Sequence, residues 1–180
     1  VAIGTIADIV PLIDENRIFV KNGLNLLRTT SNKGLSIFLA KLFEDSKERV
    51  YSTYDVAYRI APTFNAAGRL DDAKTVVKIL TESDSGFISK LCDDIIEKNT
   101  ERQTIEKDII KKIETSISEN NLHQNGIIIA DDSSFHHGVI GIAASKITDK
   151  YYKPTIIIER KPDGTCVGSA RSIEKFNIIK

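Results

Sequence analysis

Three stretches of the chain carry side chains able to do chemistry. Residues 135–147, FHHGVIGIAASKI, set His136, His137 and Gly138 ahead of an apolar helical pattern, just after the apolar run 126–130. A histidine at a helix start that follows a strand sits where free backbone amides and the helix dipole favour an anion. The alternative is two surface histidines at a helix end. Residues 168–172, GSARS, offer bare backbone at Gly168 and Ala170, hydroxyls at Ser169 and Ser172, and the guanidinium of Arg171. A strand that merely packs favours Val or Ile at such positions. Small residues alternating with phosphate ligands suit a sheet pressed against a nucleic-acid backbone. If the two stretches face each other, they form a site that holds phosphate.

The third stretch is RIAPTFNAAGRL, residues 59–70. Ala66, Ala67 and Gly68 leave a bare patch flanked by Arg59 and Arg69. It reads either as tight helix packing with two surface arginines or as an anion surface on which arginine forks meet phosphate oxygens. Asp8 is the single acid of VAIGTIADIVPL, residues 1–12. Burying an isolated carboxylate is expensive unless it is paired or metal-bound, so from the residues alone Asp8 reads as a surface aspartate at a helix end.

Several chemistries find no support. There is no Walker motif, no complete GxGxxG fingerprint, no zinc spacing and no Ser–His–Asp pattern. The 25 basic and 25 acidic residues cancel, so no global field draws a polyanion and binding has to be local. Cys92 and Cys166 are far apart and lack metal spacing, which points to a reduced, cytoplasmic setting. No apolar run approaches the roughly 20 residues needed to span a bilayer. The chain starts at Val1 inside an apolar pattern, contains no methionine and stops at Lys180 as a new pattern begins; it is expected to be a fragment of a longer protein.

Positioning these residues requires helices first and a sheet second. Apolar spacing predicts helices over 14–28, with Asp14 as N-cap, over 34–43, and from a cap at Ser52 or Thr53. Pro62 breaks or restarts that helix, and Asp71-Asp72 opens the next, 73–81. After a capping break at residues 83–86 comes the longest pattern, 87–118, with Ile88, Leu91, Ile95, Ile109, Ile113 and Ile117 on one stripe. Its middle, 97–104, is almost wholly polar. A helix of about 30 residues spans about 45 Å, so it reads as a solvent-crossing connector with a domain boundary inside it. From 122 the pattern becomes strand (126–130), helix (138–152), strand (PTIIIE), hairpin turn (161–164) and strand (165–172). The apolar runs predict strands buried on both faces, and strand–helix–strand predicts a parallel crossover.

In their order, GTIADIVPL, RIAPTFNAAGR, the long helix with NTERQ, FHHGVIGIAASKI and GSARSI resemble the RecJ-type single-strand-specific exonucleases of bacteria, in the DHH phosphoesterase superfamily. The resemblance covers nearly the whole chain. It implies an α/β architecture: the helical remainder of a DHH catalytic domain (1–83), a connecting helix (84–120) and a small DHH-associated substrate-binding domain with a mixed sheet (121–180). It also implies 5′→3′ hydrolysis of single-stranded DNA to mononucleotides with Mn2+ or Mg2+, in DNA repair and recombination. Single-strand-binding protein and a helicase are implied as partners, with no membrane. Asp8 matches the GT-x-AD aspartate and becomes a metal ligand, which replaces the surface reading. His136 matches the histidine of an aromatic–His–x–Gly motif and joins Asp8 as catalytic. Asn65, Arg69, Gly138, Gly168, Ser169, Arg171 and Ser172 are implied phosphate and substrate contacts.

The departures also matter. The D-x-D, the further aspartate and the DHH triplet of the family are absent from this chain, and His136-His137 is not that triplet. Phe135 stands where tryptophan is usual, and His137 occupies a variable position. Two metals about 4 Å apart cannot be held by Asp8 alone, so the chain by itself is expected to be inactive. Two other readings are a non-catalytic single-strand-binding module and a phosphodiesterase of oligonucleotides or cyclic dinucleotides from the same superfamily.

Overall fold

The computed structural model describes residues 1–70 and 73–179; Asp71 and Asp72, expected to open a helix, lie outside the described residues. The chain divides into two compact units, Val1–Thr100 and Glu101–Lys180.

The first unit is helical: α1 (Ala2–Ala7), α2 (Asp14–Leu27), α3 (Lys33–Leu42), α4 (Thr53–Asp55), α5 (Ala61–Leu70), α6 (Lys74–Thr81) and the start of α7 (Ser85–Glu119). Asp14 is not the cap of α2. It is the first helical residue, with Ile13 at the cap position. Asn32 caps α3 by accepting from the Leu35 amide at 2.8 Å. Between α4 and α5 a π-helical turn spans Val56–Ile60. Pro62 follows it, and the wider turn continues the helix where proline removes an amide donor. Val56 and Ile60 are both fully buried. They join Phe38, Leu39, Phe43, Ile79, Ile88, Cys92 and Ile95 in one core.

Ser52 caps α4 through a reciprocal box. The Asp55 amide donates to Ser52 Oγ, while Asp55 Oδ2 accepts from the Ser52 amide at 2.9 Å. The other Asp55 oxygen takes Arg49 Nη2 at 2.7 Å. Burial alone would raise the pKa of Asp55, but the hydrogen bonds from Arg49 and Ser52 outweigh it and hold the group below the usual carboxylate range. A depressed folded pKa stabilises above the unfolded value and ceases to do so as pH falls through the folded one. Asp55→Asn is therefore expected to cost about 2 kcal/mol near neutral pH. In denaturant melts that difference should stay flat from about pH 7 to 5 and shrink below about pH 4; a difference that grows on acidification would contradict the assignment.

The second unit contains the rest of α7, β1 (Ile128–Asp132), α8 (His137–Tyr151), β2 (Thr155–Arg160) and β3 (Cys166–Arg171). The sheet order is β1-β2-β3. β1 and β2 are parallel, with Ile128 opposite Thr155 and Asp132 opposite Glu159. β2 and β3 are antiparallel, with Thr155 opposite Arg171 and Ile157 opposite Ser169. The mixed sheet and parallel crossover are as expected. β1 begins two residues later than the apolar run, because its ladder starts where the Ile128 amide reaches the Pro154 carbonyl at 2.9 Å. Proline cannot donate to extend the pairing further back.

Three expectations are corrected here. β1 is not buried on both faces: Ile128 and Ala130 are buried, but Ile129 is 48% exposed. The polar middle of α7, 97–104, is not solvated throughout: Arg102 within it is buried, as is Glu106 just beyond it. Arg102 donates to one Glu106 oxygen at 2.6 Å and Lys146 of α8 meets the other at 2.5 Å; two cations satisfy the carboxylate that burial would otherwise penalise. No regular element follows β3 among the described residues. Residues 172–179 are irregular, with turns at 174–175 and 178–179.

Candidate phosphate-binding site

α8 begins immediately after the β1 strand and its turn. Asp132 Oδ1 accepts from the Ser134 amide at 2.7 Å and from its hydroxyl at 2.5 Å, and Lys112 Nζ donates to that hydroxyl at 2.5 Å. The Ser134 hydroxyl and amide hold Asp132 below the usual carboxylate range. This tight turn delivers Phe135 into the core and puts His136 at the cap of α8.

The cap geometry changes the anion reading of this helix start. His136 Nδ1 accepts from the Gly138 amide at 3.1 Å. The Val139 and Ile140 amides both donate to the His136 carbonyl. Amides expected to be free for a ligand are thus already engaged. An accepting Nδ1 carries no proton, so in neutral imidazole the proton is on Nε2, which is left as the donor. The His137 ring stacks on His136 at 4.7 Å, and its Nδ1 lies 3.3 Å from a Glu159 oxygen.

β3 alternates, and the alternation splits the GSARS cluster. Ser169 and Arg171 point to the face that carries α8; Gly168 and Ala170 fall on the other face. Ser172 leaves the strand, and its hydroxyl donates to the Phe176 carbonyl at 2.5 Å. A β-carbon on Gly141 would stand 3.2 Å from Arg171 Nη2 and 3.2 Å from Ser169 Oγ. The two stretches therefore do face each other, with Gly141 as the point of closest approach. Arg171 Nε donates to Ser145 Oγ at 3.0 Å. Its Nη1 donates to the Ala170 carbonyl at 2.7 Å and to Ser169 Oγ at 3.2 Å. Sequence reasoning missed Ser145. Its signal was available: it stands four residues after Gly141, on the same helix face.

The remaining sequence-predicted residues belong to the first unit. Asp8 is exposed and follows the last turn of α1, with its amide donating to the Gly4 carbonyl at 2.9 Å. Asn65 and Arg69 are exposed one turn apart on α5. Ala66 and Ala67 are fully buried, so they are core packing rather than a bare surface. Arg59 is committed to structure: it donates to the Leu42 carbonyl at 2.7 Å and lies over the Phe43 ring at 4.0 Å. No group of three or more His, Cys, Asp or Glu able to hold a metal ion occurs among the described residues. The residues present do not by themselves fit a two-metal centre.

No protein-family model matches the chain. Curated relatives do, over almost its whole length. The single-stranded-DNA-specific exonuclease RecJ of Bacillus subtilis is 37% identical over 182 residues, which is 99% of this chain and 22% of that protein. The exonuclease of the same name from Haemophilus influenzae is 34% identical over 182 residues, 99% of this chain and 31% of the relative. Over nearly its whole length the chain matches a segment of RecJ. Solved RecJ structures repeat its fold. RecJ from Thermus thermophilus in complex with Mg2+ matches with a TM-score of 0.79 at 30% identity, over 99% of this chain and 27% of that one. A manganese-bound exonuclease RecJ matches with a TM-score of 0.82 at 29% identity, over 99% of this chain and 43% of that one. The chain thus spans about a fifth to a third of the curated RecJ relatives it matches.

Proposed function

We propose that this chain is the strand-holding part of a metal-dependent 5′→3′ single-stranded-DNA exonuclease. Its division of labour would be a catalytic-domain remainder over 1–83, a connecting helix over 84–120 and a substrate-binding domain over 121–180. The observation that carries the proposal is the guanidinium of Arg171, fixed beside Ser169 on a sheet face where Gly141 leaves room. A backbone phosphate approaching there meets a cation already oriented for it. His136 Nε2, at the start of the same helix, is a second donor toward phosphate or the scissile-group oxygen. Asn65 and Arg69 on α5 are further contacts for the strand, and Gly138 allows its close approach at the start of α8; Gly168 lies on the opposite face of the sheet and the Ser172 hydroxyl is taken by the Phe176 carbonyl, so neither joins Arg171.

In this reading Asp8 supplies one carboxylate to a Mn2+ or Mg2+ site whose other ligands come from outside this chain. Bound divalent ions supply an activated water and neutralise charge developing on the phosphate. The whole protein would act in DNA repair and recombination in the cytoplasm, with single-strand-binding protein and a helicase as partners. Among the described residues no helix is long and apolar enough to cross a membrane.

The test compares this chain with the complete gene product on 5′-labelled single strands with Mn2+. The complete product is expected to release mononucleotides and the chain alone to release none. Mononucleotide release by the chain alone would overturn the assignment of the metal ligands. A preference for dinucleotides over long strands would replace the exonuclease with an oligonucleotide phosphodiesterase.

A further inference from the structure

We infer that Ser145 is a positioning residue for Arg171, holding its guanidinium so that only Nη2 faces an incoming anion; this rests on the phosphate role proposed above. Gly141 and Ser145 are one turn apart on α8, facing Ser169 and Arg171. The Ser145 hydroxyl donates its single proton to the Gly141 carbonyl at 3.1 Å. With that proton committed, its oxygen can serve Arg171 only as an acceptor, which it does for Nε at 3.0 Å. Nη1 is engaged by the Ala170 carbonyl and Ser169 Oγ. A guanidinium has five N–H groups. Nε uses its one and Nη1 its two, so the two on Nη2 remain, beside the vacant β-carbon position of Gly141.

This arrangement has a chemical consequence. A free arginine grips phosphate through two parallel N–H groups on one edge. Here each edge that includes Nη2 has its other nitrogen occupied, by Ser145 on one side and by Ser169 and Ala170 on the other. The side chain therefore presents a single oriented nitrogen, as suits a contact repeated as a strand slides past. A long side chain on an exposed strand loses rotamer freedom when it binds. Ser145 removes that freedom in advance, so less is lost at the encounter.

The test measures binding of a fluorescent oligothymidylate to the complete gene product, with EDTA present so that nothing is degraded, across a salt series. Arg171→Ala is expected to weaken binding and to reduce the salt slope by about one, because a phosphate contact is lost. Ser145→Ala keeps every charge. It is expected to weaken binding about three- to tenfold with the salt slope unchanged, to lose the slowly exchanging Arg171 Nε–H proton in NMR spectra, and to melt at the wild-type temperature. Ser145→Thr restores the hydroxyl and should restore both binding and that signal. Gly141→Ala reaches the same guanidinium without touching Ser145, and is expected to weaken binding by crowding Nη2. If Ser145→Ala binds as wild type while Arg171→Ala is weakened, the positioning role is overturned and the phosphate role stands. If Arg171→Ala binds as wild type, both are overturned.

Discussion

Gly34→Ala is expected to be the most destabilising single-methyl change in this chain, at about 3 kcal/mol or more. Gly34 lies in the first turn of α3, against α6. A β-carbon there would stand 1.6 Å from the Ile79 carbonyl oxygen and 2.6 Å from its carbon. Both are backbone atoms, so no rotamer change relieves the clash and the two helices have to separate. Separation opens packing around Phe38, Leu39 and Ile79, each buried to within 2% of full burial. Helix propensity acts in the opposite direction, since alanine is favoured over glycine by about 1 kcal/mol. The clash exceeds that by a wide margin, so the melting temperature should fall by about 6–12 °C. Gly4→Ala is the control: a β-carbon there meets nothing within 4 Å, and the variant should melt at or above the wild-type temperature. A Gly34→Ala protein as stable as wild type would mean that α3 and α6 do not approach as described.

Arg171→Ala should produce a large loss of strand binding. Hydrogen bonds to charged groups are worth about 1.5–3 kcal/mol, which predicts a fall of about 10- to 150-fold in strand affinity, and in KM rather than kcat if the contact only holds the strand. Arg171→Lys separates charge from geometry. Lysine keeps the cation but cannot donate at once to Ser145, Ser169 and Ala170 from a rigid plane. It should therefore retain the salt slope while recovering only part of the affinity. The folded state should be little affected, because Arg171 is exposed. Exonuclease activity unchanged by Arg171→Ala would remove the phosphate role altogether.

Much of the helical framework was legible from spacing. The isoleucine stripe from Ile88 to Ile117 read as one long helix, and α7 spans Ser85–Glu119. The Ser52 cap and the turn at Lys161–Gly164, with Gly164 at φ +83°, follow from side chains acting on their own backbone. Such local signals survive in sequence because the groups involved are only a few residues apart. Burial was less legible. Arg102 looks like a solvent-facing residue in a polar run, yet it is buried against Glu106, and the arrival of Lys146 from another helix makes that burial tolerable. Ile129 looks like a core residue, yet a sheet with α8 on one face leaves it exposed.

By itself, the sequence determined the element types, the family resemblance and the residues worth suspecting, because motif order and hydrophobic period are properties of the chain. Only the tertiary structure decided which suspected residues share a site. Strand alternation separated Gly168 and Ala170 from Ser169 and Arg171, and the His136 ring took up the Gly138 amide. The approach of α8 to β3 at Gly141 introduced Ser145, 26 residues away from Arg171 along the chain. Those pairings depend on strand register and helix rotation, which no spacing within a single segment encodes.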